Sequence, residues 1–491
     1  MGRIVDHTTL HRAAKYFMDS GKAATHEAAM DLLEHFGLSI HAGAEVQHSA
    51  DHQTALLTLV NVARRTLLAG VEVTDLTDGA PCISTLAPGR PLAAAVRALG
   101  GRIVAEARRS WPSAVIGNAD IPNIAAPCWR VTWAGWRGGV IPARHRGPLP
   151  ETGTMALVPA LAAAVCAAEA FAYHAGDHPM AGRREAGLSL WRPGADWLAA
   201  DPTEPALAYL PSKLWLIGLG NLGQAFAWLL ACLPYADRAQ VELLLHDFDC
   251  LAPSNDSTSL LSFLRDVGRR KTRAVADWLE ERGFENFLDE RRFGSWITRA
   301  PNEPNVAFCG VDNALARAAL EKPGFDLVVE AGLGSGPQAF RSFSMHAFPA
   351  SRSAEAIWSR QIAATDENFE DRPAYQALRQ AGIDRCGLAQ LASRTVGVPF
   401  VGLIAAAVAL SELLRRLQGG AAHELVAGSV VALQDVEAVS MTAPPYPGAY
   451  VETATAAGHD ETFPALHMEV GDSHAAHNKT FRESERMVGS G

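Results

Sequence analysis

One stretch of the sequence constrains the fold more than any other. Across residues 212–249 an apolar run leads into a glycine turn, a helical pattern and a second apolar run. The turn carries Gly218, Gly220 and Gly223 at GxGxxG spacing. Strand, glycine turn, helix and strand in this order form the first half of a Rossmann-type sheet, with a phosphate expected at the helix N-terminus. The sequence therefore predicts an α/β protein with a nucleotide site at this turn.

Further apolar runs extend the predicted sheet. Residues 305–313 and 325–336 each read as a strand, and a strand buried on both faces of a parallel sheet is apolar throughout. Residues 341–394 carry more charge and few strand signals, which predicts an excursion between core elements. Strands are predicted again within 425–439, followed by an extended or partly disordered tail over 444–491.

The first 205 residues also alternate helix and strand signals, but they contain no GxGxxG. One local echo links the two halves of the chain. Residues 154–173 and 395–417 each have a Val-Pro step into an Ala-rich helix that carries a glutamate. Because any buried Ala-rich helix produces such a pattern, this echo alone leaves duplication and coincidence equally open.

Composition limits the class of function. A net charge of −10 gives no support to a nucleic-acid partner or an anionic membrane surface. We expect no membrane-spanning run and no signal peptide, and the seven cysteines show no CxxC pair, which argues against a zinc ribbon or a disulfide framework. A length of 491 residues allows two to four domains, and the prediction is a cytoplasmic protein.

Two short patterns invite a structural interpretation. The histidines in residues 48–52 lie in a polar stretch, so we expect them to be exposed to solvent rather than to bind a metal. The tryptophans in residues 128–139 are predicted to pack in strands.

Polar residues follow the predicted strands at fixed places. Asp247 and Asp249 close the second strand, Asn255 and Lys271 come after them, and Asp312 ends the fourth strand. A nicotinamide enzyme would use Asp247 on a ribose but needs none of the later residues. Glycine loop, ribose acid, asparagine, lysine and second acid together suit a nucleoside triphosphate with Mg²⁺, because the lysine offsets phosphate charge and the distal acid holds the metal.

This constellation resembles the ThiF/MoeB/ubiquitin-activating-enzyme superfamily, whose members adenylate a C-terminal carboxylate. The candidate nucleotide-binding motifs are Gly218-Leu-Gly220-Asn-Leu-Gly223, Asp247-Phe-Asp249, Ser254-Asn255, Gly268-Arg-Arg-Lys271 and Asp312-Asn313. The likeness is close over about 210–320 and extends to about 420. It implies an ATP site in which Asp247 binds the ribose, Asn255 and Lys271 contact phosphates, and Asp312 organises Mg²⁺.

One departure from the family pattern concerns an arginine on the phosphates. The family commonly has it three residues after the asparagine, where this chain has Thr258. The missing charge is expected to come from Arg265, Arg269 or Arg270, or from another domain, or to be absent.

The family's paired architecture permits a source in another domain, because one adenylation fold donates an arginine to its partner's site. The resemblance then implies a Rossmann-like ThiF-type fold in two adenylation-like domains. The first (1–205) is inactive and the second (206–443) is active. Arg12 is the candidate donor, and the alternative is an ordinary surface arginine on a helix.

Cys386 is the candidate nucleophile. It lies nine residues before Thr395, in the segment that enters the late helix, and this setting resembles the catalytic-cysteine loop of compact ubiquitin-like-protein activating enzymes. A thiolate that attacks an acyl adenylate benefits from exposure and a nearby helix N-terminus. The alternative is a small buried residue beside Gly387. Three other cysteines lie in apolar contexts and are predicted to be packed: Cys166, Cys232 and Cys309.

The resemblance implies an enzyme that uses ATP and Mg²⁺ to adenylate the C-terminal glycine of a ubiquitin-like protein, takes the acyl group onto Cys386 and passes it to a conjugating enzyme. The alanine-rich composition favours a bacterial source. Three alternatives stay open. The first is adenylation of a sulfur-carrier protein or peptide without a thioester. The second is an NAD(P)-dependent oxidoreductase, which the glycine loop alone permits, and the third is a pseudoenzyme scaffold, which Thr258 keeps open.

Overall fold

The computed structural model describes residues 6–145, 147–359 and 369–454. Strands in this part of the chain form two large sheets and one small one. The strands of the first sheet are β1 (Gly37–Ala42), β2 (Gly70–Thr74), β3 (Arg102–Ile103), β4 (Ser113–Ile116), β5 (Cys128–Ala134), β6 (Arg137–Pro142) and β7 (Ala186–Ser189). The small sheet pairs β8 (Tyr209–Pro211) with β17 (Tyr450–Glu452). The strands of the second large sheet are β9 (Lys213–Ile217), β10 (Glu242–His246), β11 (Glu285–Asp289), β12 (Val306–Cys309), β13 (Leu327–Leu333), β14 (Ser342–Phe348), β15 (Ala422–Ser429) and β16 (Glu437–Met441).

Helices precede or connect the strands within each half. Those in the first half are α1 (Arg12–Asp19), α2 (His26–Leu33), α3 (Ala50–Ala63), α4 (Leu92–Ala98) and α5 (Val158–Ala175). Those in the second half are α6 (Asn221–Cys232), α7 (Lys271–Glu280), α8 (Ala314–Ala318), α9 (Gly336–Ala339), α10 (Ala354–Trp358), α11 (Pro373–Gln380), α12 (Arg385–Ser393) and α13 (Pro399–Leu417).

The two large sheets share one topology. The first has the order β3-β2-β1-β4-β5-β6-β7, and the second has the order β11-β10-β9-β12-β13-β14-β15-β16. In each sheet the first five strands of this order run parallel and the following ones antiparallel. The parallel part has the order 3-2-1-4-5 of a Rossmann-type sheet. The predicted α/β class with Rossmann-like sheets is confirmed.

The sequence echo between the halves has a structural counterpart. Helices α5 and α13 follow β6 and β14, so they occupy the same place in the two topologies. Each buries its glutamate: Glu169 pairs with Arg184, and Glu412 pairs with Arg415 and Arg416. The two helices also pack against each other. Topology and matched buried acids together favour duplication over coincidence.

Three expectations need correction, and the first concerns the charged excursion. Its predicted start lies inside the sheet, since β14 (Ser342–Phe348) pairs with both β13 and β15. Burial alternates along β14, with Ser342, Ser344 and His346 less buried than their neighbours. An antiparallel strand with this alternation escapes a search for uniformly apolar strands.

The second correction concerns a membrane-length helix. Val158–Ala175 is long and apolar enough, by length and composition alone, to cross a membrane, whereas we expected no such run. The protein buries 83% of this helix, which packs between α3, α13 and the first sheet. The core helix of a globular protein passes the same test, so the helix is weak evidence for a membrane span.

The third correction concerns residues 48–52. His48 is exposed as expected, but His52 is buried in α3, where its ring nitrogens bond the Ser49 hydroxyl and the Glu151 carboxylate, both at 2.8 Å. The prediction failed for His52 because α3 begins between the two histidines: His48 ends the preceding 3₁₀ turn, whereas His52 lies in the first turn of the helix and faces the interior. The tryptophans of residues 128–139 are buried in and beside β5 and β6, as predicted.

The predicted domain boundaries, 1–205, 206–443 and 444–491, stay predictions. Strand β17 lies near the start of the predicted tail and pairs with β8, at the beginning of the second half. The charged excursion, 341–394, contains Cys386 and is the predicted catalytic-cysteine segment. Residues 360–368 of this segment and residues 455–491 of the predicted tail lie outside the described residues.

Candidate nucleotide site

The glycine turn is built for close packing and for an open helix end. Gly218 follows β9 with a φ of +82°, and a Cβ there would come within 2.7 Å of Val311. A Cβ on Gly223 would lie 1.9 Å from the carbonyl oxygen of Gly218, so only glycine lets α6 approach the turn. Gly220 caps α6 and has open space beside it. An unobstructed helix N-terminus of this kind suits a phosphate.

Two aspartates and a lysine meet beside this turn. Asp247 is buried at the end of β10, and its carboxylate accepts hydrogen bonds from the backbone N–H groups of Leu219 at 2.7 Å and Asp249 at 2.8 Å. Lys271, the first residue of α7, donates to the Asp249 carboxylate at 2.9 Å and lies 3.8 Å from that of Asp247. Asp247 thereby joins the glycine turn to the following loop and places the Lys271 ammonium at the same edge.

Asn255 lies in a short 3₁₀ turn, Pro253–Ser257, next along the chain. Its Oδ1 accepts a hydrogen bond from the backbone N–H of Ala252 at 2.8 Å. The backbone N–H of Ser254 donates to the carbonyl oxygen of Thr8 at 2.7 Å, so the first half of the chain holds this turn. The Asn255 oxygen therefore has a structural role, which leaves the amide N–H groups for a ligand.

Asp312 and Asn313 follow β12 and differ in their roles. Asn313 caps α8 by accepting hydrogen bonds from Leu315 and Ala316. Asp312 is exposed, and its carboxylate forms no hydrogen bond or ion pair with any described residue. A hard cation prefers such an oxygen ligand, so Asp312 fits the predicted Mg²⁺. The described residues contain no group of three or more potential ligands, so a metal here would share its coordination with substrate phosphates.

The first half of the chain clamps the segment in which Thr258 replaces the family arginine. Arg65, at the C-terminal end of α3, is buried and donates to three carbonyl oxygens, those of Asp256, Leu260 and Ser262, at 2.6, 2.7 and 2.9 Å. Thr258 is itself buried within this clamped segment. The segment is thus part of the contact between the two halves.

Arg12 enters the same site from the first half. Its backbone N–H donates to the Ser257 hydroxyl at 3.1 Å, and its Nη1 donates to the carbonyl oxygen of Thr395 at 2.9 Å. Burial, and then the charge of Arg394, lower the pKa of Arg12 to about 10, while the charge of Asp312 acts in the opposite direction. The candidate donor therefore lies within electrostatic reach of the candidate metal ligand in the other half.

The other candidate arginines are more exposed. Arg265 stacks on Phe263 with its guanidinium carbon 4.2 Å from the ring centre. Arg269 forms ion pairs with Asp266 and Asp277. Arg270 donates to the carbonyl oxygen of Phe248, between the two site aspartates. Of the three, Arg270 is the one held beside Asp247 and Asp249.

Sequence reasoning missed the residues that join the late helix to the glycine turn. The Nδ2 of Asn221, in the glycine motif, donates to the carbonyl oxygen of Gly397 at 2.6 Å. A Cβ on Gly402 would lie 2.0 Å from Asn221 Oδ1, so α6 and α13 touch at their starts. Arg394 directly precedes Thr395, which Arg12 binds. A local motif carries no signal for contacts between residues this far apart in sequence.

Cys386 lies in the first turn of α12 and is exposed. Asp384 caps this helix by accepting a hydrogen bond from the backbone N–H of Gly387 at 2.8 Å. Cys250 is also exposed, beside Asp249. Burial raises the pKa of the Cys309 thiol to about 12 and gives Cys232 a similar value, which suits packed and unreactive thiols.

Comparison with known proteins defines the class to which this fold and site belong. The family model described as "BilD C-terminal domain" matches residues 210–420, and the model described as "BilD N-terminal domain" matches residues 37–190. The chain is 62% identical over 450 residues to the bacterial E1-like protein BilD of Collimonas sp. (strain OK412), an alignment that covers 92% of this chain and 97% of that protein. The chain belongs to the BilD family of bacterial E1-like proteins.

Solved structures show a more distant likeness. One is E. coli MccB with MccA-N7isoAsn, at 12% identity, covering 48% of this chain and 66% of that one with a TM-score of 0.31. Another is E. coli MccB with ATP, at 12% identity, covering 48% of this chain and 65% of that one with a TM-score of 0.31. This chain thus spans about two thirds of the length of these neighbours.

Proposed function

We propose that the protein uses ATP to adenylate the C-terminal glycine of a ubiquitin-like protein and then takes the acyl group onto Cys386. One observation carries the first step. The Lys271 ammonium lies 3.8 Å from Asp247, whose carboxylate binds the glycine turn. Arg12 binds Thr395 in the segment that contacts the start of α6, and Asp312, which forms no ion pair with any described residue, follows Val311 beside Gly218. That set of charges suits a triphosphate with a divalent cation better than a dinucleotide. The oxidoreductase alternative leaves these three side chains without a role.

The chemistry of the first step follows from this arrangement. A carboxylate oxygen of the glycine attacks the α-phosphorus of ATP, the α–β phosphoanhydride bond breaks, and an acyl adenylate and pyrophosphate form. Lys271 and Arg12 stabilise the charge that develops on the phosphates. Asp312 would hold Mg²⁺, which offsets further phosphate charge when it is bound.

The second step uses the exposed thiol. The Cys386 sulfur, as thiolate, attacks the acyl carbon, AMP leaves, and the thiol proton passes to solvent. Exposure in the first turn of α12 supports this role, because a helix N-terminus favours a negative charge. A conjugating enzyme in the cytoplasm would then receive the acyl group by thioester exchange.

The test is ATP–pyrophosphate exchange with a small protein that ends in glycine, using the same protein without that glycine as the control. Exchange that requires the terminal glycine is the expected result. Exchange with no adduct sensitive to thiol reductants would favour the alternative, adenylation of a sulfur carrier or peptide. Absence of exchange, with NAD binding, would favour the oxidoreductase, and absence of both would favour a scaffold.

A further inference from the structure

Two arginines, Arg12 and Arg394, come near each other at the segment that enters α13. Arg12 is held by its hydrogen bond to the carbonyl oxygen of Thr395, and Arg394 is the next residue back along the chain. The Arg394 charge also acts against protonation of Arg12. The fold thus holds two like charges close together in a partly buried place, which costs free energy unless an anion lies between them.

The described residues do not supply that anion in full. The Nε of Arg12 is buried and has no hydrogen-bond partner. The Arg394 side chain forms no hydrogen bond or ion pair with any described residue. Asp312 is the carboxylate that acts on Arg12. By contrast, Arg385 at the other end of α12 pairs with Glu370 at 2.9 Å.

The position of the pair indicates which anion would fit. The segment that carries Arg394 continues to Gly397, whose carbonyl oxygen binds Asn221 in the glycine turn at 2.6 Å. Gly220, the residue before Asn221, is the N-cap of α6, and the space beside its Cα is open. The two guanidinium groups therefore lie on the side of the glycine turn that faces the late helix. Guanidinium groups match phosphate oxygens in charge and geometry.

We propose that Arg394, together with Arg12, binds the phosphates of ATP that leave as pyrophosphate, and so supplies the charge that Thr258 does not. The proposal rests on the proposed function, because it assumes that ATP binds at the glycine turn. It adds an arginine from the cysteine segment to the arginine from the first half. Arg394 follows the last turn of α12, and Cys386 lies in its first turn. In this proposal α12 therefore connects the bound ATP phosphates to the Cys386 thiol.

The experiment compares ATP and AMP binding to the full chain by calorimetry with Mg²⁺ present. Arg394→Ala should weaken ATP by about tenfold or more, the scale of one charge-assisted hydrogen bond, and leave AMP within about twofold. Arg394→Lys should recover part of the loss. Arg385→Ala, on the same helix with a side chain that is 87% exposed, is the matched control and should bind both nucleotides as wild type does.

The outcomes separate this inference from the function on which it rests. If Lys271→Ala loses ATP while Arg394→Ala binds ATP as wild type does, the inference is wrong and the proposed function stands. Equal weakening of ATP and AMP by Arg394→Ala would indicate a structural role and also overturn the inference. A wild-type protein that binds no ATP would overturn both.

Discussion

The two halves of the chain share a sheet order but differ where the first strand meets its helix. In the second half Gly218 and Gly220 lead directly from β9 into α6. In the first half a 3₁₀ turn, Ala44–Gln47, stands between β1 and α3. Within that turn Glu45 accepts a hydrogen bond from the backbone N–H of Asn118, just after β4, at 2.9 Å, and this bond lowers the pKa of Glu45. An anionic side chain thus lies at the edge where the second half offers an open helix end, which disfavours a phosphate.

A matched pair of glutamines shows that the scaffold beneath this edge is the same. Gln53 and Gln224 are each the fourth residue of the helix that follows the first strand, and both are buried. Gln53 accepts hydrogen bonds from the backbone N–H groups of Ile83 and Ser84, and Gln224 accepts one from that of Leu261. Each therefore fixes the connection after the second strand of its own sheet.

The residue before each glutamine marks the difference between the halves. It is Gly223 in the second half and His52 in the first. Glycine lets the helix approach the turn, whereas the His52 ring occupies space and bonds Glu151 at 2.8 Å. The comparison teaches that one scaffold carries either an open glycine turn or a filled edge, depending on a few residues at one turn. We infer from it that the first half is silent toward nucleotide.

The largest expected effect concerns a segment that the first half lacks. Residues 143–157 connect β6 to α5, whereas the longer stretch 349–398, with Cys386, connects β14 to α13. Cys386→Ala should abolish the carrier adduct that thiol reductants remove and leave ATP–pyrophosphate exchange nearly intact, because adenylation needs no thiol. Gel electrophoresis with and without reductant measures the adduct. Cys250→Ala, the other exposed thiol beside the site, is the control, and an adduct that survives Cys386→Ala would place the nucleophile elsewhere.

The next prediction compares charged residues at corresponding places in the two halves by their effect on the exchange rate. Lys271→Ala and Asp312→Ala should each slow carrier-dependent exchange by about 100-fold or more, the scale of losing preorganised charge stabilisation. Glu45→Gln, at the corresponding edge of the first half, should leave the rate unchanged. Initial rates of labelled pyrophosphate incorporation provide the measurement. Loss of exchange in Glu45→Gln with normal thermal stability would show that the first half is not silent.

A smaller effect is expected from the arginine that crosses between the halves. Arg12→Ala should lower exchange by about tenfold, because it removes one cation near the phosphates while Lys271 remains. The melting temperature should change little, since Arg12 makes one side-chain hydrogen bond to the described chain, to Thr395. Arg265→Ala is the control, as its guanidinium lies on Phe263. Unchanged kinetics in Arg12→Ala would indicate that Arg270 or Arg394, rather than Arg12, supplies the positive charge to the phosphates.

How far the sequence predicts this molecule depends on whether a feature is local. The glycine turn, the acids that follow the strands and the apolar parallel strands are encoded within a few residues, and the α/β fold follows from them. The Arg65 clamp and the Arg12 contact with Thr395 join residues far apart in the chain, so spacing gave no signal for either contact. The family resemblance supplied Arg12 as a candidate donor, without its partner. The site roles themselves remain predictions.

The smallest expected effect distinguishes a structural role from a role in ATP binding for the two matched glutamines, Gln53 and Gln224. Gln53→Ala and Gln224→Ala should each lower the free energy of unfolding by about 1–3 kcal/mol, because each leaves buried backbone groups without a partner. Urea denaturation measures that change. Gln224 also donates to the carbonyl oxygen of Leu219 in the glycine turn at 3.0 Å, whereas the Gln53 amide donates to that of Pro81 at 3.1 Å, away from any glycine turn. Gln224→Ala should therefore weaken ATP binding a few-fold at equal loss of stability, and Gln53→Ala should not. Equal effects of both variants on ATP binding would mean that the two edges serve the nucleotide alike and that the contrast between the halves is not functional.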